Sequence, residues 1–322
     1  MIEHPRPRLV FSRCLGFDAC RYNGATIIDP VAELLKPHVE AITVCPEVEI
    51  GLGVPRPPIR LVEERDRVLL YQPETGRDLT AAMASLSERF LASLGEVDGF
   101  LLKYRSPSCG PSQVKIYNSR KPTAGHRKGA GAFASAVLAR FGSLAVEDEG
   151  RLQNYDIRGH FLTQLFAFAR VRAAAAMGTM AALVGFHSRH KLLLMAYNQT
   201  AMRKMGQIVA NAEREPVETV IRHYRHELVR ALRNAPRRAS AVNVLQHAFG
   251  HVSDRLTRRE RGHFLDALDQ YRGARIPLSG PTTLMRSWIV RFDVEYLADQ
   301  VYFEPYPEEL VSVSDSGKGR SL

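Results

Sequence analysis

The hydrophobic pattern of this chain changes once, near residue 154, and that change constrains the fold more than any other feature. Before it, short β-branched, aromatic and aliphatic runs at 8–12, 41–44, 99–103 and 143–146 are bounded by turn residues, as strands are. Between them, 29–36, 79–94 and 132–141 read as helices. Strand and helix in alternation predict an α/β domain with a mostly parallel sheet. Beyond 154 the pattern is helical only, over 161–175, 181–197, 201–212, 217–234, 241–252, 258–271 and 281–299, so an all-α domain follows. At 322 residues the chain has room for both. The acidic, Gly-containing segment 147–156 reads as the boundary. The expected division is therefore an N-terminal domain at 1–150, a helical, basic domain at 151–308 and a flexible tail at 309–322.

All four cysteines, Cys14, Cys20, Cys45 and Cys109, belong to the α/β domain. In an open parallel sheet the ligand crevice lies outside the carboxyl ends of the strands. Cys14, Cys45 and Cys109 each fall in a segment that follows a predicted strand. Their spacings of 31 and 64 residues form no local metal motif, so only the fold can bring them together. Three readings stand on the residues alone. Three thiolates without a nearby histidine suit a soft metal or an iron–sulfur cluster. Free cysteines also pack as small hydrophobes. A lone nucleophilic Cys109 in its Ser/Gly loop is the third, although no His or Asp partner is recognisable.

The formal charge of +10 is unevenly shared, +2 over residues 1–160 and +8 over 161–322, which points to a polyanion held by the helical half. His187 and Lys191 stand one turn apart, beside Arg189, and Arg203 with Lys204 follow. Arg222 and Arg225 form a further basic stripe three residues apart, so phosphate binding is expected of these helices. The seven histidines beyond residue 161 lack the HExxH spacing, and no zinc is expected there. The longest uncharged apolar stretch, 173–186, is 14 residues, too short to cross a bilayer. The first twenty residues carry Glu3 and Asp18 and no apolar run of the signal-peptide kind, so a cytoplasmic protein with reduced thiols is expected.

Three blocks go further. Cys14-Leu-Gly-Phe-Asp-Ala-Cys20-Arg-Tyr-Asn-Gly24, Cys45-Pro-Glu47 with Gly51-Leu-Gly-Val-Pro-Arg56-Pro-Pro, and Lys103-Tyr-Arg-Ser106-Pro-Ser108-Cys109-Gly110 resemble the thiouracil and thiouridine desulfidases, over about residues 8–145. The resemblance implies a [4Fe-4S] cluster held by Cys14, Cys45 and Cys109, with Cys20 as the spare. It also implies that the free iron takes the sulfur of a thiolated uracil, leaving uracil and sulfide. The helical half, through Phe186-His187-Ser188-Arg189-His190-Lys191, Asn243-Val-Leu-Gln-His247 and Tyr271-Arg-Gly, looks like a family of small helical bacterial domains found alone or fused behind such a desulfidase.

Under this resemblance Glu47, two residues after a ligand, is the expected proton carrier. Ser106 and Ser108 flank Pro107 and are expected to hydrogen-bond the uracil edge or the cluster. Arg21, Tyr22, Asn23 and Arg56 are the expected pyrimidine-holding set. The fusion resembles the branch that acts on thiouridine in RNA, which makes 4-thiouridine, in tRNA or as nucleoside, the leading substrate and Arg189, Lys191, Arg203, Lys204, Arg222 and Arg225 the RNA contacts. Two other readings remain: a free-thiouracil desulfidase for salvage or detoxification, and a non-catalytic iron–sulfur redox sensor that binds nucleic acid. No membrane and no protein partner are expected.

Overall fold

A computed structural model describes residues 2, 4–65, 67–121 and 123–311, so the expected tail lies outside the described residues from 312 onward. Glu308–Leu310 form a short 3-10 turn with Leu310 buried. The chain divides into two compact units, residues 6–169 with 309–311, and residues 170–308 with the described residues before Arg6.

The first unit contains, in chain order, β1 (Arg8–Ser12), α1 (Pro30–Leu35), β2 (Glu40–Val44), α2 (Pro46–Glu49), β3 (Arg60–Glu64), β4 (Arg67–Gln72), β5 (Arg77–Asp78), α3 (Thr80–Ser93), β6 (Gly99–Leu102), β7 (Val114–Tyr117), β8 (His126–Gly129), α4 (Ala132–Phe141), β9 (Ala145–Asp148) and most of α5 (Tyr155–Ala176). Strands β2-β1-β6-β9 make one sheet in which every pairing is parallel, as the alternating pattern predicts. Central β1 and β6 are apolar without alternation because both faces are covered: Leu9, Val10, Phe11, Phe100, Leu101 and Leu102 are wholly buried. Helix α5 contributes Phe161, Leu162, Leu165 and Phe166 to the core. A Cβ on Gly99 would lie 2.6 Å from the Ala145 carbonyl oxygen and 3.0 Å from the Leu165 side chain, so glycine is what lets β9 lie this close to β6 with α5 packed over the pair.

The register Ser12↔Val44 and Leu102↔Asp148 brings the strand ends to one edge of this sheet. A second sheet, β5-β4-β3-β7-β8, was not anticipated from the sequence. Only its β3–β7 pairing is parallel; the other three are antiparallel.

The second unit is helical: the end of α5, then α6 (Met180–Ala210), α7 (Val217–Ala231), α8 (Arg238–Gly250), α9 (Arg258–Arg272), α10 (Ser279–Phe292) and α11 (Glu295–Ala298). Helix α6 is interrupted at Asn198 (φ −159°, ψ 97°), whose side-chain oxygen accepts from the Ala201 amide at 2.9 Å. This is where the pattern separates two helices, and Asn198 caps the second of them. Val220, Ile221, Tyr224, Leu228 and Ala231 form the buried stripe of α7. Thr257 and Glu260 form a capping box at the start of α9. The expected helix 281–299 stops at Phe292 because Asp293 turns left-handed (φ 49°).

Gln300, 1% exposed, reaches into α6: its amide nitrogen donates to the Ser188 carbonyl at 3.0 Å and its oxygen accepts from the Leu192 amide at 3.1 Å. Those two backbone groups are the ones an α-helix pairs with each other.

Candidate functional site

Three loops leave the carboxyl edge of the parallel sheet, and each carries a cysteine. The first follows β1 and is closed by the Ile27 amide donating to the Cys14 carbonyl at 2.8 Å, so Cys14 to Ile27 fold back as one loop with Cys20 buried inside it. The second begins at Cys45, which stands at the N-terminal cap of α2 with Pro46 as the first helical residue, where a missing N–H costs nothing. Glu47 occupies the first turn of that helix.

The third loop is bound to the start of α4. The amides of Gly131, Ala132 and Ala134 donate to the carbonyls of Gly110, Pro107 and Ser108 at 2.8, 2.9 and 3.0 Å. Helix-start amides that would otherwise lack partners thus fix the Cys109 segment. A Cβ on Gly131 would sit 2.4 Å from the Ser108 carbonyl oxygen, so close backbone packing accounts for that glycine.

Glu47 is the centre of a buried polar group. Its Oε1 accepts from the Ser108 hydroxyl at 3.0 Å, and its Oε2 accepts from Arg56 Nε at 2.9 Å. A second guanidinium nitrogen of Arg56 also approaches Oε2, at 2.8 Å, with side-chain exposures of 4% for Arg56 and 13% for Glu47. The same guanidinium donates to the carbonyls of Cys20 at 3.0 Å and Gly53 at 3.1 Å. Arg56 therefore ties the Cys14–Cys20 loop, the loop after α2 and the carboxylate together, and its donors face protein groups. Ser106, placed with Ser108 by the sequence, uses its hydroxyl oxygen locally to accept from the Ser108 and Cys109 amides at 3.2 and 3.1 Å.

The thiols lie in one neighbourhood. Cys20 is pushed up to about 11, chiefly by the adjoining Cys14 thiol, with Cys45 pulling the other way and burial adding to the rise. The Cys45 thiol is driven up by Cys20 and by burial. That of Cys109 is driven up mainly by burial, with the charges of Glu47 and Cys45 adding to it and Ser12 and Ser106 opposing. Without a metal these three are neutral thiols, and a metal that takes Cys45 and Cys109 must displace their protons. Among the described residues, no three Cys, His, Asp or Glu side chains are grouped to hold a single metal ion. A four-iron cluster asks for a different arrangement, since each thiolate ligates its own iron and the cysteines stand around a cage. Three cysteine loops at one sheet edge fit that demand.

Of the expected pyrimidine-holding residues, Tyr22 is exposed with Arg21 over its ring at 5.8 Å, and the Asn23 side chain accepts from Ala25 in a local turn. Arg56 is turned onto Glu47 instead. Ser12 escaped the sequence reading, although the last residue of a strand at the carboxyl edge is a position to inspect; its hydroxyl accepts from the Lys103 amide at 2.9 Å and bonds toward Cys109.

In the helical unit Arg189, Lys191, Arg203, Lys204 and Arg222 are exposed and Arg225 is half-buried. Lys204 pairs with Glu227 at 2.7 Å, and Arg230 shares that carboxylate at 3.2 Å. His190 is buried against the Phe186 ring, with centroids 3.8 Å apart, and burial holds it well below the usual histidine range. His187 bonds the buried Tyr224 hydroxyl at 3.0 Å. The Phe186 to Lys191 segment thus divides into an inward aromatic side and an outward cationic one.

Comparison with known proteins finds two families. Residues 9–149 match the family described as 2-thiouracil desulfurase, and residues 191–307 match a protein family of unknown function, DUF1722. The uncharacterized protein YbgA of Escherichia coli (strain K12) is 28% identical over 168 residues, covering 52% of this chain and 98% of that protein. The uncharacterized protein YbbK of Bacillus subtilis (strain 168) is 28% identical over 153 residues, covering 45% and 98%. Among solved structures, the [4Fe-4S]-dependent thiouracil desulfidase TudS is 32% identical, covers 46% of this chain and 93% of that one, and superposes with a TM-score of 0.36.

Proposed function

Because residues 9–149 belong to the 2-thiouracil desulfurase family and residues 191–307 to DUF1722, we propose that this protein is a [4Fe-4S]-dependent desulfidase of thiolated uracil, acting on 4-thiouridine in tRNA or as nucleoside. The observation that carries the reading is the meeting of the Cys14, Cys45 and Cys109 loops around Glu47. Cys14, Cys45 and Cys109 would hold the cluster. When bound, the cluster supplies a Lewis-acidic iron for the soft thiocarbonyl sulfur, drawing electrons from the attached carbon.

The overall change is hydrolytic and needs no oxidant: the water oxygen replaces sulfur on the carbon, and sulfur leaves with the two protons as sulfide. Glu47 takes a proton from the attacking water or returns one to the ring nitrogen. Arg56 holds one carboxylate oxygen and Ser108 the other, so the carboxylate is oriented before substrate arrives. The exposed cations Arg189, Lys191, Arg203, Lys204 and Arg222, with Arg225, would meet the RNA phosphates. The test is anaerobic purification, iron and sulfide analysis, and sulfide release from 4-thiouridine and from thiolated tRNA. A colourless, iron-free but fully active protein would end this reading.

The contact of the Cys20 thiol with Cys14 and Cys45 favours one other reading, a sensor with four thiolate ligands. Cys20→Ser separates the two: an enzyme keeps its iron in that variant, and the sensor loses it.

A further inference from the structure

The unexpected second sheet carries aromatic and basic side chains together on its outer face. Strand alternation puts Leu61, Leu70 and Ile116 inward as core, and the opposite face is set by the pairs Arg60↔Tyr71, Tyr117↔His126 and Lys115↔Lys128. Val62 lies beside Tyr117 across the parallel β3–β7 pairing and is wholly buried, so it forms the floor beneath the longer side chains of that face. Two tyrosines on it each carry a guanidinium: Arg120 stands over Tyr71 at 4.7 Å and Arg60 over Tyr117 at 5.2 Å. The His126 ring adjoins Tyr117, with centroids 5.7 Å apart.

The charge of this face is one-sided. Arg67 opposes Glu64 in register, and Glu64 takes Arg120 in a two-pronged ion pair. Asp78, opposite Tyr71, is satisfied by the Thr80 amide and hydroxyl. Lys115 and Lys128 face solvent, and Lys128 bonds only a neutral amide, that of Gln113, at 2.6 Å. Among the described residues, five cations on this face stand against two carboxylates. Guanidinium planes seated on tyrosine rings offer platforms on which unpaired bases stack, and the lysines beside them suit phosphates that need neutralising.

The chain also links this face to the candidate site. Strand β3 starts four residues after Arg56, and β7 starts five after Cys109. At roughly 3.3 Å per extended residue, these connections span no more than about 20 Å, a few nucleotides of RNA.

The geometry points to the outer face of the β5-β4-β3-β7-β8 sheet as a docking surface for an unpaired segment of the RNA substrate, gripped by the catalytic unit itself. This rests on the RNA reading above. The experiment uses the full chain and fluorescence anisotropy with labelled thiolated tRNA, alongside sulfide release from free 4-thiouridine. Lys115→Glu with Lys128→Glu should weaken tRNA binding at least tenfold and lower the salt slope by about two, leaving nucleoside turnover unchanged. Tyr71→Ala with Tyr117→Ala should cost roughly tenfold per lost stack, and Tyr71→Phe with Tyr117→Phe should retain binding. Sheet variants that bind like wild type, while Arg203→Glu with Lys204→Glu abolishes binding, would overturn the proposal and leave the RNA reading standing. A wild-type protein indifferent to tRNA would remove both.

Discussion

Arg56→Met is the most informative perturbation of the candidate site. The Arg56–Glu47 pair is 4% and 13% exposed, so the substitution leaves a carboxylate with little water and one remaining side-chain donor, Ser108. Breaking a buried pair from one side costs about 3–5 kcal/mol. The lost bonds to the Cys20 and Gly53 carbonyls contribute within that range, at about 1 kcal/mol each. For a unit of this size, such a loss lowers the melting temperature by roughly 6–20 °C. Circular dichroism melts and urea titrations of Arg56→Met, Glu47→Gln and the double variant measure it. The double variant removes the charge that the single one strands, so it should be more stable than the sum of the two losses predicts, by about 2 kcal/mol. Additive losses, or an Arg56→Met protein as stable as wild type, would show that the pair does not organise the loops.

Replacing Cys14, Cys45 or Cys109 by Ser should each remove iron and activity together, measured by metal analysis and sulfide release, while Cys20→Ser spares the iron. Glu47→Gln should keep the colour of the cluster and lower turnover by about a hundredfold; undiminished rates would leave Glu47 a structural part only. Asp148 is raised to about 7 by burial at the end of β9. Its folded value exceeds its unfolded one, so its contribution is fully present below the ordinary carboxylate range and is lost as pH rises through about 7. The urea midpoint should therefore fall between about pH 4 and 7 and level off above, and Asp148→Asn should flatten the decline. Affinity of the full chain for thiolated tRNA should drop about a thousandfold between roughly 50 and 200 mM salt if six phosphates are contacted, and a salt-independent affinity would count against RNA.

The legible parts of the fold were those whose cause is local. Strand β1 and helix α4 have the residue ranges the pattern assigns, because a continuous apolar run and a helical repeat following Gly131 are each complete within a few residues. The second sheet was hidden because β7 and β8 carry Lys115, His126, Arg127 and Lys128 in short, charged segments that read as loop. Its parallel β3–β7 pairing joins residues more than fifty apart, and no local pattern records that. The turn between β3 and β4 includes Arg65 at φ 48°, a conformation that arginine does not advertise. At the site, the strand-end rule located the cysteines. The Arg56–Glu47 pairing crosses an irregular loop, and Ser108 meets Glu47 across 61 residues, so both are products of the fold.

The Gln300 amide lodged between Ser188 and Leu192 makes one turn of α6 report on distant chain. Most amides in a helix exchange with solvent when that helix frays or opens. The Leu192 amide is bonded to a side chain 108 residues further on, so its protection depends on the segment around Gln300 as well as on its own helix. During synthesis the turn acquires its native partner only once that segment has emerged, whatever helix has already formed at 180–197. In hydrogen exchange, Leu192 should therefore open with the 300 region, and Gln300→Ala should release it while its helical neighbours stay protected.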